Sequence, residues 1–250
     1  MNVGIETTKK IIDVRTIKMK KRIIIPLLFL FSLYSFALSR VQLDSFADRM
    51  QNGAGSYNIG TIAITRNYAV AVYGDNGYCY EAAPQDLANR LKELNTDRKK
   101  IKDVHITESG KWVIVGDSIY WSDGIPTECT NAIMSLIDSK DYITCVSFDD
   151  YGNWVVLGTN SFYASPKIKQ YMENARDRYG YLYYVNITND AVIITCENGQ
   201  FCDVGWSVPL IKTINEGLDK IDFRPKIIKL FPGVGCFIGN ADVNRWSVYF

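Results

Sequence analysis

Along the chain, short alternating runs of apolar and polar residues give way at regular intervals to stretches with helical spacing. Ile62 with Ile64, Val104 with Ile106, Val146 with Phe148, Val185 with Ile187, and Ile228 with Leu230 each flank one odd position. That period of two is the mark of a half-buried strand. The flanked residues are Ala63, His105, Ser147, Asn186 and Lys229. A second apolar run follows each time, and two of these, WVIV from Trp112 and WVVL from Trp154, are apolar on both faces, which predicts central strands. A third run is rich in aromatics: Tyr78 and Tyr80, Tyr120 and Trp121, Phe162 and Tyr163, Phe201, Trp246. Helical spacing then takes over, with one apolar face per stretch: Leu87, Leu91 and Leu94; Cys129, Ala132, Ile133 and Leu136; Ile168, Tyr171, Met172 and Ala175; Leu210, Ile211, Ile214 and Leu218.

The order strand, strand, strand, helix repeats. Pro84, Pro126, Pro166 and Pro209 each open a helical stretch, about 42 residues apart. Trp112 and Trp154 open successive second strands after the turns ESGK and DYGN, in which Gly110 and Gly152 supply the positive φ of a tight hairpin. Asn76-Gly77 and Asn198-Gly199 are further hairpin signals. The units run near 60–100, 101–142, 143–181, 182–224 and 225–250, and the last ends without a helix. Leu43, Phe46, Ala47 and Met50 form a helical face ahead of the first unit, so a helix over 42–51 is expected to complete the last one. The predicted fold is an α+β repeat protein of about five β-β-β-α units closed into a propeller-like ring. An open solenoid would need polar caps, and none is apparent.

Residues 1–39 read as an N-terminal extension and signal peptide, and 40–250 as a single repeat domain. Lys18, Lys20, Lys21 and Arg22 form a basic n-region, and Ile23–Leu38 an apolar h-region of about 16 residues, short of a membrane span. Ala37-Leu38-Ser39 places small residues for a cut before Arg40, and translation from Met19 would leave the leader intact. The expected location is therefore secreted or periplasmic. Of 28 Lys and Arg and 27 Asp and Glu, residues 1–39 hold seven and two, so the remainder carries 21 against 25, near −4. A mildly acidic domain without a basic cluster argues against a nucleic-acid partner.

Candidate chemistry is sparse. His105 is the sole histidine, and CxxC, HExxH and GxSxG are absent, so neither a metal nor a cofactor nor a catalytic residue is expected. Of the six cysteines, Cys196 and Cys202 flank a hairpin turn and form a candidate disulfide. The loops at Asp149-Asp150 and Asn189-Asp190 carry oxygen ligands of the kind calcium takes, although turns use the same residues. Asn186-Ile187-Thr188 fits the glycosylation pattern of a eukaryotic secretory route.

The units GKWVIVGDSIYWSDGIP and GNWVVLGTNSFYASP resemble a repeat of exported bacterial proteins, with a G-x-W-V core, an aromatic third strand and a proline-started helix. The resemblance covers nearly all of residues 60–250. The period is similar to that of β-propeller blades, and five β-β-β-α units resemble an α/β-propeller of the pentein type. Catalytic penteins use Cys and His, but no matching motif occurs here. In such a ring the polar first-strand face would line a channel, making Asp103, His105, Ser147, Asn186 and Lys229 candidate ligand-binding residues, with Trp121 and Tyr163 among the third-strand aromatics. The expected function is a non-enzymatic binding or scaffold module for a protein or glycan; the alternative is an exported hydrolase using the channel.

Overall fold

The computed structural model describes residues 37–55, 58–117, 120–203, 208–231, 235–240 and 246–249. The basic n-region and most of the apolar h-region lie outside the described residues. The order of elements is α1 (Arg40–Ala54), β1 (Ile59–Ile64), β2 (Ala69–Tyr73), β3 (Gly77–Glu81), α2 (Gln85–Thr96), β4 (Asp103–Ile106), β5 (Trp112–Val115), β6 (Tyr120–Asp123), α3 (Thr127–Asp138), β7 (Ile143–Phe148), β8 (Trp154–Gly158), β9 (Phe162–Ala164), α4 (Pro166–Tyr179), β10 (Leu182–Ile187), β11 (Val192–Cys196), β12 (Gly199–Asp203), α5 (Val208–Asp219), β13 (Ile227–Phe231), β14 (Gly235–Gly239) and β15 (Trp246–Tyr249). The architecture is α+β: five three-stranded antiparallel sheets, each a simple meander, with five helices among the described residues.

The turns follow the glycines that the hairpins demand. Gly110 and Gly152 adopt φ of 87° and 90°, a region that side chains with a Cβ avoid. The prolines sit one residue earlier than a helix-opening role implies in two units. Pro84 and Pro126 are N-caps, and their carbonyls accept from the amides of Ala88 (2.9 Å) and Thr130 (3.0 Å). Proline has no N–H to lose there, and its fixed φ feeds the helix. Pro166 takes the first helical position after the N-cap Ser165.

The core divides into five clusters, each built from two sheets and one helix. Leu87, Leu91 and Leu94 of α2 lie between Val70 and Val72 on one side and Val104, Ile106 and Ile114 on the other. Cys129, Ile133 and Leu136 of α3 join Val113 and Val115 to Val146 and Val156. Ile168, Met172 and Ala175 of α4 join Val155 and Leu157 to Val185 and Ile194. Ile214 of α5 joins Ile193 to Ile228 and Ile238; the side chains of Leu210 and Ile211 are outside the described residues. Leu43, Phe46 and Met50 of α1 join Ile62 and Ala71 to Phe231 and Phe237. Because each sheet serves two clusters, both of its faces must be apolar, which is why the second strands show no alternation. Fully burying one such leucine is worth about 1.5–3 kcal/mol.

The first strands meet one another. β1 lies against β4, β4 against β7, β7 against β10, β10 against β13, and β13 against β1. These contacts are not sheet pairings, since each sheet ends at its first strand.

The candidate disulfide does not form. All six cysteines are free thiols, and the β11–β12 register sets Cys202 opposite Ile193 while Cys196 pairs with Gly199. The tight turn, shorter than a three-residue loop, shifts the two sulfurs out of register. Burial pushes the thiols of Cys129 and Cys236 up to about 12 and that of Cys79 to about 11, so these are inert hydrophobes rather than nucleophiles. The acidic loops are turns. Asp149 accepts from the amides of Tyr151 (2.9 Å) and Asn153 (2.8 Å), and Asp150 accepts from the Ser109 amide (3.1 Å) and the Thr107 hydroxyl (2.8 Å). Among the described residues no cluster of His, Cys, Asp or Glu is placed to hold a metal ion, and no described helix is long and apolar enough to cross a membrane.

Candidate functional site

Two features occupy the place where the five first strands meet. The first is a polar centre. Five of the seven sequence-derived candidates come together there: Asp103, His105, Ser147, Asn186 and Lys229 are all buried. His105, Ser147, Asn186 and Lys229 each reach the next first strand, and Asp103 is reached from three others. His105 Nε2–H donates to the Phe148 carbonyl (2.6 Å), and its Nδ1 lies 3.3 Å from the Ser147 hydroxyl. Ser147 Oγ accepts from the Ile187 amide (2.7 Å), and Asn186 Oδ1 accepts from the Leu230 amide (2.7 Å). Lys229 spends all three ammonium protons, on Thr61 Oγ1 (2.7 Å), Asp103 Oδ1 (2.6 Å) and the Val104 carbonyl (2.8 Å). Thr61 donates to the same carboxylate oxygen (2.8 Å), and the Tyr184 hydroxyl to the other (2.8 Å). The first strands thus hold together through side chains standing in for a missing backbone ladder, and the buried polar groups named here are satisfied.

Protonation follows from burial. His105 is pulled down to about 4, chiefly because the imidazolium would be desolvated, with the Lys229 charge adding to the effect. Tyr184 is raised well above its ordinary value by burial and by the Asp103 charge, so it stays a donor. Beside this centre, toward the β1–β2 turn end, lies a cavity of about 30 Å³ lined by His105, Asn186 and Lys229. It has room for a water or so. At this level the polar side chains fill the space between the first strands. The turns beyond are laced together: Glu108 accepts from the Arg66 amide (3.0 Å), Asn189 from the Asp150 amide (2.9 Å), and the Arg66 guanidinium pairs with Asp190 (2.8 Å). Trp121 and Tyr163 sit elsewhere. Trp121 packs against the α2 cluster, and Tyr163 on β9 is exposed.

The second feature is a basin at the opposite ends of the same strands, where they begin. Its volume is about 940 Å³, and every unit contributes to its wall. Tyr142, Tyr181 and Tyr183 supply rings, and Lys100, Lys102 and Lys226 supply charge against the single aspartate Asp75 among the described lining residues. Tyr142 is 68% exposed and Tyr181 46%. Tyr181 and Tyr183 meet edge to face at 5.5 Å between centroids; the Lys226 ammonium lies 4.4 Å over the Tyr183 ring and that of Lys102 5.5 Å over Tyr142.

The chain matches no known protein family and no curated protein.

The basin owes its wall to an irregularity that strand alternation conceals. In β1, β7 and β10 the pairing slips between Ile59 and Thr61, Ile143 and Cys145, and Leu182 and Tyr184. The skipped residues are Gly60, Thr144 and Tyr183, and all three line the basin. A bulge re-aims one residue and lets the strand resume its alternation beyond it. Tyr183 therefore faces the basin while Tyr184 turns inward to Asp103. Sequence reasoning missed this wall because Tyr142, Tyr181 and Tyr183 precede the regular part of each strand. The available signal was the recurrence of Tyr and Lys at the start of three first strands: Lys102, Tyr142 and Tyr181 just ahead of them, and Tyr183 at the second residue of β10.

Proposed function

We propose that the chain is an exported, non-enzymatic binding module whose five units close into a ring, and that its basin seats an acidic glycan. The ring reading rests on the cyclic succession of first-strand contacts, including β13 against β1, and on α1 filling the place between the fifth and first sheets. The pentein-like and propeller-like resemblances share that plan.

The observation that carries the binding reading is the basin itself: half-exposed tyrosine rings interleaved with lysines, in a concavity of about 940 Å³. That is at the upper end of the range for small-molecule and cofactor sites, whereas a stable protein partner covers a broader, flatter face. Tyrosine faces pack on the apolar side of a sugar ring while the phenol bonds its hydroxyls. Lysines concentrated on a domain whose residues 40–250 are net acidic select carboxylate-bearing sugars. The non-enzymatic part is supported by the engagement of the candidate acid–base groups: His105 has both ring nitrogens within bonding distance of neighbours, and Lys229 has no free proton to donate.

Calorimetric titration with uronic-acid oligosaccharides tests this. Binding is expected for the acidic sugars and not for neutral ones, weakening with added salt, and Lys226→Glu is expected to weaken it at least about tenfold. Equal affinity for neutral and acidic sugars, or no binding to either, overturns the ligand assignment.

A further inference from the structure

The start of α1 bears on where an export leader would be removed. Two bonds meet the requirement for small residues one and three places before the cut. One is Ser39–Arg40, preceded by Ala37-Leu38-Ser39. The other is Ala37–Leu38, preceded by Ser35-Phe36-Ala37. Sequence does not separate them, but the folded domain does.

Ser39 is the N-cap of α1. Its hydroxyl accepts from the Gln42 amide (3.3 Å), and its own amide donates to Gln42 Oε1 (3.0 Å), a complete capping box. Leu38 is also part of the fold. Its side chain packs against the cluster of Leu43, Phe46 and Phe237, and its nitrogen donates to the Arg66 carbonyl in the β1–β2 turn (2.6 Å). Ala37, one residue earlier, is exposed. A cut before Arg40 would remove the cap and the Leu38 anchor, and would leave a new ammonium at the positive end of the helix dipole.

We infer that the leader is cut between Ala37 and Leu38, so that the mature chain begins Leu38-Ser39-Arg40. The inference rests on the reading of the protein as exported. The leader-cleaving protease of an exporting membrane adds one water across the Ala37–Leu38 amide. The Ala37 carbonyl becomes a carboxylate and leaves with the leader; the Leu38 nitrogen becomes an ammonium that keeps a proton directed at the Arg66 carbonyl. With this boundary the apolar h-region runs from Ile23 to Tyr34, about 12 residues and inside the usual leader length.

The test is N-terminal sequencing and intact mass of the protein recovered after expression of the full chain in an exporting bacterium. Leu38 as the first residue is the expected result. Arg40 as the first residue overturns the inference and leaves the export reading standing. A chain that keeps residues 1–36 overturns both. The variant Ser35→Tyr blocks the small-residue requirement at the proposed bond and not at the other. It is expected to accumulate uncut precursor, and processing at the normal rate would overturn the proposal. Chains made directly with Leu38 or Arg40 at the start provide an independent readout: the shorter is expected to melt about 2–4 °C lower, and equal melting removes the physical basis of the inference.

Discussion

The polar centre and the basin are built from the same five strands, a few residues apart, and they behave as opposites. In the centre every charged or polar side chain is met by another strand, at 3% exposure for Lys229 and 2% for Asp103. In the basin the groups stay in contact with solvent: Tyr142 is 68% exposed, Lys226 lies over the Tyr183 ring, and Lys100 and Lys102 make exposed ion pairs with Asp75 and Asp117. The difference teaches where a polar residue holds the fold and where it is left available. A buried group must find partners or cost several kcal/mol, so the centre admits one arrangement. The basin's groups pay no such penalty, and their exposed ion pairs are weak enough to be exchanged for a ligand.

The sharpest way to break this contrast is at Lys229. Lys229→Met leaves Asp103 buried beside Thr61 and Tyr184 without its cation, and is expected to cost about 3–5 kcal/mol of stability. Asp103→Asn in the same chain should restore part of that loss. Denaturant unfolding measures both, and a loss no larger than the roughly 0.5 kcal/mol of a surface change would mean that the centre is not sealed.

Acid comes next. His105 titrates near 4 in the folded chain against an ordinary value of 6.5. Between those values the unfolded chain takes up a proton that the folded chain refuses. The stabilisation from keeping the ring neutral is therefore full above about pH 6.5 and is lost as the pH falls toward about 4, on the order of 1 kcal/mol per pH unit. The groups facing the ring are the Phe148 carbonyl, Lys229, Asp103 and Asp149. His105→Gln should flatten that stretch of the stability–pH curve, and an unchanged slope would place the titration elsewhere.

The smallest effect on folding belongs to the basin. Tyr142→Ala should leave stability within about 0.5 kcal/mol while weakening glycan binding by about tenfold, the weight of one lost stacking face. Calorimetry beside a thermal melt reads both, and a destabilised Tyr142→Ala would show that the ring supports the fold after all.

How far each region was legible in the sequence follows from the same contrast. The centre announced itself through alternation: the residues between Val104 and Ile106, Val146 and Phe148, Val185 and Ile187, and Ile228 and Leu230 do converge. Alternation fixes a face but not its partners, so nothing in the residues foretold that Lys229 would reach both Thr61 and Asp103, or that Tyr184 would bond the other oxygen of that carboxylate. The basin was illegible for a different reason. Its tyrosines sit in connections and at bulges, where one extra residue reverses which face a side chain takes. Third-strand aromatics such as Trp121 drew notice by recurring, yet Trp121 is packing.

Helix α1 has one more consequence. Its apolar face touches Ala71 in the first unit and Phe237 in the last, so its two sets of partners are separated by nearly the whole domain. A ribosome delivers the helix first and Phe237 almost last. Until then Phe46 and Met50 have only half of their cluster, and closing it spans the longest loop the domain contains, the kind of contact that slows folding. A circular permutant that moves residues 38–55 behind residue 250 should fold faster, because it makes the contact between α1 and Phe237 local.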